Sequence, residues 1–256
     1  MKFGICNLNN IPLRLESSDA SEMISQVLFG EHFTVLETKK QWLYIRLGYD
    51  GYRGWIDHKQ VEEISENFFD ALNNTDFVFS KELLNIATTS DEKIIPLTIG
   101  SILPNFNNGV FKINETSFSF DGETEICKIS KEKVVETAFM YLNAPYLWGG
   151  KSPFGIDCSG FTQMVYKMNG YRLFRDASQQ AKQGEVLSFI EESEPGDLAF
   201  FDNNEGNITH VGIILANNYI IHSSGKVRLD RLDQSGIYNE ETNRHTHKLR
   251  LLKKMF

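Results

Sequence analysis

The stretch "PYLWGGKSPFGIDCSGF", residues 145–161, decides the fold of the second half of this chain. It runs from a proline through a glycine-rich turn to a cysteine. Apolar residues then recur at helical spacing, at Phe161, Met164, Val165 and Met168. Asn169-Gly170 is a typical stop signal for such a helix. We therefore expect Cys158 to lie at the N-terminus of a helix.

The position of Cys158 bears on its chemistry. Unpaired N–H groups and the positive end of the helix dipole lower the pKa of a thiol, and the thiolate is the nucleophile. A lone cysteine is more often a small buried hydrophobic residue than a nucleophile. A base near the thiol would favour the nucleophile. Downstream, "THVGIILANNYIIHSSG", residues 209–225, offers His210 and His222 as that base and its partner.

Whether the two histidines meet depends on the loop between their predicted strands. A two-residue loop at Asn217-Asn218 would turn His210 and His222 to opposite faces of the sheet. A three-residue loop, 216–218, pairs Gly212 with His222 and leaves His210 diagonally beside it, at about 7–8 Å between backbones. We predict the odd-length loop or an equivalent bulge, with Gly212 leaving room for the ring of His222.

The other histidines, His32, His58, His245 and His247, fall in strands or polar loops without a nucleophile nearby. His245-x-His247 has no cysteine or acidic companion at zinc-site spacing, so we expect this pair to be solvated. We predict no metal and no cofactor.

The chain has 256 residues, enough for two or three small domains. Residues 1–62 show short alternating runs such as "WLYIRL" between glycines, which predict a small β-barrel. Residues 63–75 are interpreted as a linker and 76–127 as a second, diverged barrel. From 128 to 256 we predict an α+β domain, with helices first and strands after.

Within that last domain, "GDLAFF", "THVGIILA" and "YIIHSS" are predicted strands. The polar stretch "NEETNRHTHK", residues 239–248, is predicted to be a loop, and "LRLLKK", residues 249–254, a short final strand.

The net charge of −8 disfavours nucleic acid or an anionic membrane as a partner, because both reward clusters of lysine and arginine. No apolar run is long enough for a signal peptide or a bilayer span, so we expect a soluble cytoplasmic protein. Three widely spaced cysteines do not indicate a disulfide framework. We expect a monomer.

Five motifs, "PYLWGGKSPFGIDCSGF", "RDASQQAKQG", "EPGDLAFF", "THVGII" and "YIIHSSG", resemble in that order the NlpC family of papain-like bacterial cell-wall peptidases. Upstream, "SEMISQVLFGE" and "GYRGWI" resemble the bacterial SH3 domains that often precede this catalytic domain. The resemblance implies an α+β papain-like catalytic domain after two SH3-like barrels.

The activity implied by the resemblance is hydrolysis of the γ-D-glutamyl-L-diamino acid bond in murein stem peptides with a free N-terminal L-Ala, during cell-wall peptide recycling. Two alternatives stay open: a thiol amidase or acyltransferase on the same scaffold, and a cell-wall peptide-binding protein without turnover. Fold similarity alone does not settle the substrate.

Catalytic roles follow from the resemblance residue by residue. Cys158 would be the nucleophile, His210 the general base and later acid, and His222 the residue that orients His210. The hydroxyl of Tyr146 would stabilise the tetrahedral oxyanion together with the backbone N–H of Cys158.

Substrate contacts are implied as well. Asp157, Ser159 and Ser178 match positions that contact the substrate dipeptide. Trp148 is expected to contact the substrate as well. Asp157 would supply an acid for the substrate ammonium, although a helix beginning at Cys158 would favour an acidic cap in any case. Three residues of the first barrel, Glu31, Tyr52 and Trp55, are expected to close the end of the pocket that holds the free amine, or, for the two aromatics, to form barrel core.

Overall fold

The computed structural model describes residues 1–126 and 129–256, and Cys127 lies outside that description. The chain divides into two compact units, 1–128 and 129–256. The expected start of the catalytic domain, at 128, falls beside this division. Among the described helices, none has the length and apolar character that crossing a membrane requires.

The first unit opens with one antiparallel sheet. Its strands are β1 Phe3–Ile5, β2 Asn10–Arg14, β3 Met23–Leu28, β4 His32–Lys39, β5 Trp42–Leu47, β6 Arg53–Asp57 and β7 Glu62–Glu63. They pair in the order β3-β2-β6-β5-β4-β1-β7. The alternation in β5 directs Leu43, Ile45 and Leu47 into a core to which β2, β3, β4 and β6 also contribute.

Residues 63–75, expected to be a linker, contain helix α1, Glu66–Asn73. The hydroxyl of Ser65 accepts a hydrogen bond from the N–H of Phe68 at 3.2 Å and caps the helix. Leu72, on the inner side of α1, is buried in a core cluster of the first unit. The segment is therefore a packed element of that unit.

The remaining strands of the first unit are β8 Val78–Ser80, β9 Leu84–Thr89, β10 Ile94–Thr98, β11 Val110–Ile113, β12 Thr116–Ser119 and β13 Thr124–Ile126. They form a four-stranded sheet, β10-β9-β12-β11, and a separate pair, β13-β8. Phe111 and Phe118 share one core cluster with Phe3 and Phe29 of the first sheet. The expected second barrel is not confirmed, because this segment buries its apolar face against the first sheet.

The second unit places its helices before its main sheet. The helices are α2 Val134–Met140, α3 Cys158–Met168 and α4 Ala177–Gln180. The strands are β14 Lys151–Ser152, β15 Gly155–Ile156, β16 Glu185–Leu187, β17 Leu198–Asp202, β18 Ile208–Leu215, β19 Tyr219–Ser224, β20 Lys226–Asp233, β21 Gly236–Asn239 and β22 Arg244–Lys254.

Six strands of this unit close into a barrel. The sheet runs β16-β22-β17-β18-β19-β20-β21, and β21 also pairs with β22. Its interior is filled by Ala199, Phe201, Ile214, Ile220, Leu232, Ile237 and Leu252. The fully buried helix α3 packs outside the barrel against β18 and β19.

The C-terminal half of the barrel differs from the sequence prediction. The expected loop 239–248 is wrong in its second part, because β22 begins at Arg244. The polar residues from Arg244 onward form a strand because β22 is hydrogen-bonded to β17 on one side and to β21 on the other. Strands β20 and β21 were not predicted, and they carry residues that matter for the site.

Candidate active site

Cys158 is the first residue of α3, as the sequence predicts. The carboxylate of Asp157 caps the helix by accepting a hydrogen bond from the N–H of Gly160 at 2.6 Å. A Cβ at position 160 would lie 2.3 Å from the carbonyl oxygen of Gly150, so the glycine-rich turn can approach only a glycine. The thiol is buried, with Sγ 4.0 Å from the carbonyl oxygen of Thr209 on β18.

Burial, together with the negative charge of Asp157, raises the pKa of the Cys158 thiol to about 12. Backbone hydrogen bonds and the Arg175 guanidinium lower this pKa by less. The expectation that the helix N-terminus holds an ionised thiol is therefore wrong. The thiol is neutral at rest, and its proton has to leave when the sulfur attacks.

The two histidines meet through the predicted three-residue loop. Residues 216–218 form a short 3₁₀ turn in which Asn217 and Asn218 have positive φ angles, 59° and 60°. Gly212 pairs with His222, which confirms the predicted register. A Cβ on Gly212 would lie 2.8 Å from Cβ of His222, so the absence of a side chain there makes room for the imidazole.

The imidazoles of His210 and His222 are buried and hydrogen-bonded to each other. Nε2 of His210 lies 2.8 Å from Nδ1 of His222. His210 shares its strand face with Ile214 of the barrel core, and burial and the neighbouring imidazoles lower its pKa well below the usual value. Within the described part of the chain, Nδ1 of His210 has no hydrogen-bond partner and is free to accept a proton.

A buried carboxylate continues this line of hydrogen bonds. Nε2 of His222 lies 2.9 Å from Oδ2 of Asp230 on β20. Burial lowers the pKa of His222, although hydrogen bonding to Asp230 acts in the opposite direction. Asp230 was not identified from the sequence, because β20 was not recognised as a strand.

His247 corrects a second expectation, since it is neither solvated nor distant from the site. From β22 its ring stacks on His210, with ring centroids 4.1 Å apart and planes at 24°. Burial and the neighbouring His222 lower the pKa of His247 to about 4. Its partner in the sequence motif, His245, is exposed and pairs with Asp233 at 2.9 Å.

His210, His222 and His247 each place a nitrogen within 4.8 Å of the other two, which is the donor chemistry of a zinc site. The lone pairs of imidazole lie in the ring plane, and the rings of His210 and His247 are nearly parallel. Their nitrogens therefore do not point to one position. The arrangement favours proton transfer over metal binding.

Tyr146 lies close enough to Cys158 for their charges to interact. Burial, then the charges of Cys158 and Asp157, raise the pKa of the Tyr146 hydroxyl to about 12, so it stays a hydrogen-bond donor. Its backbone N–H donates to the carbonyl of Gly225 at 3.0 Å, which fixes the residue beside β19 and β20. The side chain of Trp148, two residues on, is exposed.

Asp157 forms a buried bidentate ion pair with Arg175. Nη2 of Arg175 lies 2.6 Å from Oδ2 and Nη1 lies 3.0 Å from Oδ1. Gly149 and Gly160 donate their backbone N–H groups to the same carboxylate. The hydroxyl of Ser159 also donates to Oδ1 at 3.4 Å. The carboxylate is therefore saturated with donors, and a substrate ammonium would have to displace one of them.

Arg175 also donates to the hydroxyl of Ser159 at 3.0 Å, so one guanidinium orients two of the predicted substrate residues. Arg175 belongs to the quoted motif "RDASQQ", yet nothing in the sequence alone paired it with Asp157. Ser178 lies on the short helix α4 with its side chain exposed.

Three of the predicted substrate residues, Glu31, Tyr52 and Trp55, belong to the first unit. The carboxylate of Glu31 accepts a hydrogen bond from the N–H of Leu28 at 2.9 Å. Tyr52 packs against the core of the first sheet, and the ring of Trp55 lies 5.2 Å from that of Tyr44. A role for these residues in closing the substrate pocket stays a prediction.

Two family profiles match the chain. The NlpC/P60 family matches residues 143–247, and the bacterial dipeptidyl-peptidase SH3 domain matches residues 13–61. The second match covers most of the first sheet, β2 to β6.

Curated relatives match along most of the chain. A γ-D-glutamyl-L-lysine dipeptidyl-peptidase of Bacillus subtilis is 34% identical over 217 residues, 78% of this chain and 71% of the relative. Dipeptidyl-peptidase 6 of Lysinibacillus sphaericus is 30% identical over 254 residues, 86% of this chain and 89% of the relative.

Solved structures agree on the fold. An NlpC/P60 family protein from Bacillus cereus superimposes with a TM-score of 0.81 over 98% of this chain and 99% of its own, at 21% identity. An NlpC/P60 endopeptidase from Photobacterium damselae gives 0.71 over 97% of this chain and 70% of its own, at 17% identity.

Proposed function

Because this chain belongs to the NlpC/P60 family of cysteine peptidases, we propose that it hydrolyses the γ-D-glutamyl-L-diamino acid bond of murein stem peptides that begin with a free L-Ala. Relatives that match both halves of the chain carry names for this activity on a lysine-containing peptide. The observation that carries the proposal is the buried 2.8 Å contact between His210 and His222, with His210 next in sequence to Thr209, whose carbonyl oxygen lies 4.0 Å from the Cys158 sulfur.

The first half-reaction forms a thioester. Sγ of Cys158 bonds to the γ-carbonyl carbon of D-Glu while its proton passes to Nδ1 of His210. The resulting oxyanion accepts hydrogen bonds from the Tyr146 hydroxyl and from the backbone N–H of Cys158, which has no acceptor within its helix. His210 then returns the proton to the amine of the diamino acid as the C–N bond breaks.

The second half-reaction releases the dipeptide. A water molecule gives a proton to His210 and attacks the thioester carbonyl. The C–S bond breaks, the thiolate regains the proton, and L-Ala-γ-D-Glu leaves. A neutral thiol and a neutral imidazole are the right starting state, since each step moves one proton through Nδ1 of His210.

Selection for a free N-terminus belongs to the same proposal. Asp157 and Ser159, held by Arg175, lie directly beside the nucleophile in sequence, and an ammonium would bind the Asp157 carboxylate by displacing one of its present donors. Glu31, Tyr52 and Trp55 are proposed to close that end of the pocket. A cytoplasmic role in recycling, and the monomeric state, stay predictions.

The test uses L-Ala-γ-D-Glu-L-Lys and the diaminopimelate equivalent, with and without an acetylated N-terminus, read by mass spectrometry. We expect the dipeptide from the free peptides with the wild type and none with Cys158→Ala. Products joined to an added amine would indicate an acyltransferase. A folded protein that binds the peptides and cuts none of them would contradict the proposal.

A further inference from the structure

The hydrogen bonds behind the nucleophile end on a carboxylate with no assigned role. Asp230 is buried, and its side chain shares a strand face with Leu232 of the barrel core. We propose that Asp230 is a positioning residue of the active site, which fixes where the protons of His222 and His210 reside. It would act through the imidazoles and touch neither substrate nor sulfur.

Strand register brings the three side chains into line. Gly212 pairs with His222, and Ile220 pairs with Asp230, so each member lies two residues from the direct partner of the next. His210, His222 and Asp230 therefore follow one diagonal across β18, β19 and β20. Such diagonal neighbours are within reach of long or aromatic side chains.

The carboxylate is ionised and held in one orientation. Burial opposes ionisation, but hydrogen bonds from His222 and Arg228 lower the pKa of Asp230 below its usual value. Nη2 of Arg228 lies 3.1 Å and Nδ2 of Asn239 lies 3.3 Å from Oδ1. Oδ2 lies 2.9 Å from Nε2 of His222 and 2.8 Å from Nε of Arg228.

Proton positions follow from this acceptor. An ionised carboxylate can only accept, so the proton of neutral His222 lies on Nε2 and its lone pair on Nδ1. That lone pair accepts from Nε2–H of His210. Neutral His210 must then have its own lone pair on Nδ1, the nitrogen required to take the proton of Cys158.

Replacing Asp230 by asparagine should reverse this order. The side-chain oxygen of the new amide would stay at the Oδ1 position, where Nη2 of Arg228 and Nδ2 of Asn239 are both fixed donors. Its NH₂ would take the Oδ2 position, which faces Nε of Arg228 and Nε2 of His222, and only His222 can change from donor to acceptor there. His222 would then carry its proton on Nδ1 and require a lone pair on Nε2 of His210. The proton of His210 would move to Nδ1 and block the base.

The chain offers a matched control on the same strand. Asp233 also pairs with a histidine, His245, at 2.9 Å, but both side chains are exposed. Asp233→Asn therefore removes the same kind of carboxylate–imidazole contact away from the nucleophile. We expect D233N to keep the kcat of the wild type.

The first measurement needs no substrate. In ¹⁵N NMR spectra of the wild type we expect His210 and His222 to carry their protons on Nε2, and in D230N on Nδ1. In the same samples, the rate at which iodoacetamide alkylates Cys158 reports whether a base is available to take the proton of the thiol. A wild-type spectrum with either proton on Nδ1 overturns the inference, whether or not the variant folds.

The kinetic measurement rests on the proposed function. We expect D230N to lower kcat about 10- to 100-fold with an unchanged KM, the usual cost of losing a buried partner of a functional histidine. In a His222→Gln background D230N should cost nothing further, because the imidazole that carries the effect is gone. Losses that simply add in the double variant, with folding intact by circular dichroism, would make Asp230 structural only. If no peptide is cut, the NMR result still decides.

Discussion

The ring of His247 stacks on that of His210, with centroids 4.1 Å apart, although the two residues lie on strands separated by β17. The stacked ring removes water from one face of His210, and its electrostatic interaction with His210 disfavours a positive charge on the His210 ring. Both effects favour the neutral imidazole. His247 therefore helps to hold His210 in its neutral form.

Replacing His247 by glutamine should shift the acid limb of the kcat/KM profile to higher pH. Activity requires neutral His210, whose pKa lies well below its usual value, so the wild type should lose activity only well below pH 6.5. Removing the stacked ring raises that pKa. Profiles of kcat/KM between pH 4 and 9 test this, with His245→Gln as the control. An acid limb that does not move in H247Q would contradict it.

The pH dependence of Cys158 alkylation should reflect a neutral thiol. Because its pKa is raised to about 12, the thiolate fraction grows tenfold per pH unit throughout the neutral range. Iodoacetamide inactivation should therefore accelerate up to pH 10 without levelling off. A plateau between pH 5 and 8 would instead indicate a stable thiolate–imidazolium pair.

Loss of the Arg175 side chain should destabilise the second unit. Arg175→Met leaves the carboxylate of Asp157 buried without its counter-charge, which typically costs about 3–5 kcal/mol of unfolding free energy. The double variant R175M/D157N should recover part of this loss. Urea dependence of amide exchange in α3 provides the measurement.

An exposed ion pair serves as the control for that series. Arg231 pairs with Glu240 at 2.6 Å, and both side chains are more than half exposed. Arg231→Met should cost about 0–1 kcal/mol, as is usual for surface pairs. Equal losses for R175M and for R175M/D157N would show that the charge of Asp157 is not what Arg175 compensates.

Gly212→Ala should separate packing from catalysis. The added Cβ would lie 2.7 Å from Cδ1 of Ile220 and 2.8 Å from Cβ of His222, and overpacking of this kind costs about 1–3 kcal/mol. Displacement of His222 should also lower kcat. Ile220→Val in the same chain should restore part of the stability but not kcat, because the contacts with Cγ1 of residue 220 at 2.9 Å and with Cβ of His222 remain. A G212A variant with wild-type stability and turnover would refute the close approach.

The sequence was sufficient where local rules decide the geometry. The helix start at Cys158 follows from apolar spacing, and the meeting of His210 with His222 follows from counting residues through one short loop. Both depend only on neighbouring segments of chain. Alternation along a regular strand is reliable over such distances.

Asp230 and His247 could not be placed in that way. Charged residues stand on both faces of "KVRLDRLD", so β20 shows no clear alternation. The pairing of β22 shifts register against both β17 and β21, and a bulge of this kind ends any count of faces. Their positions become clear only once the barrel closes.

The predictions of an ionised Cys158 thiol and of a second barrel show the same limitation of reasoning from local sequence. The dipole at a helix start is visible in the sequence, whereas the burial that outweighs it at Cys158 comes from packing of the whole unit. Alternation in residues 76–126 correctly indicated strands. It could not show that Phe111 and Phe118 pack with Phe3 and Phe29.

That shared cluster links the two ends of the first unit, and this has a consequence for biosynthesis. Strand β1 cannot complete its packing on a growing polypeptide until β11 and β12 have left the ribosome. Contacts between such distant segments form slowly and leave apolar side chains uncovered meanwhile. A gene fragment limited to residues 13–61 would lack β1, β11 and β12 and would leave the apolar residue Phe29 uncovered. Transferring the module to another enzyme therefore requires residues 1–126 together.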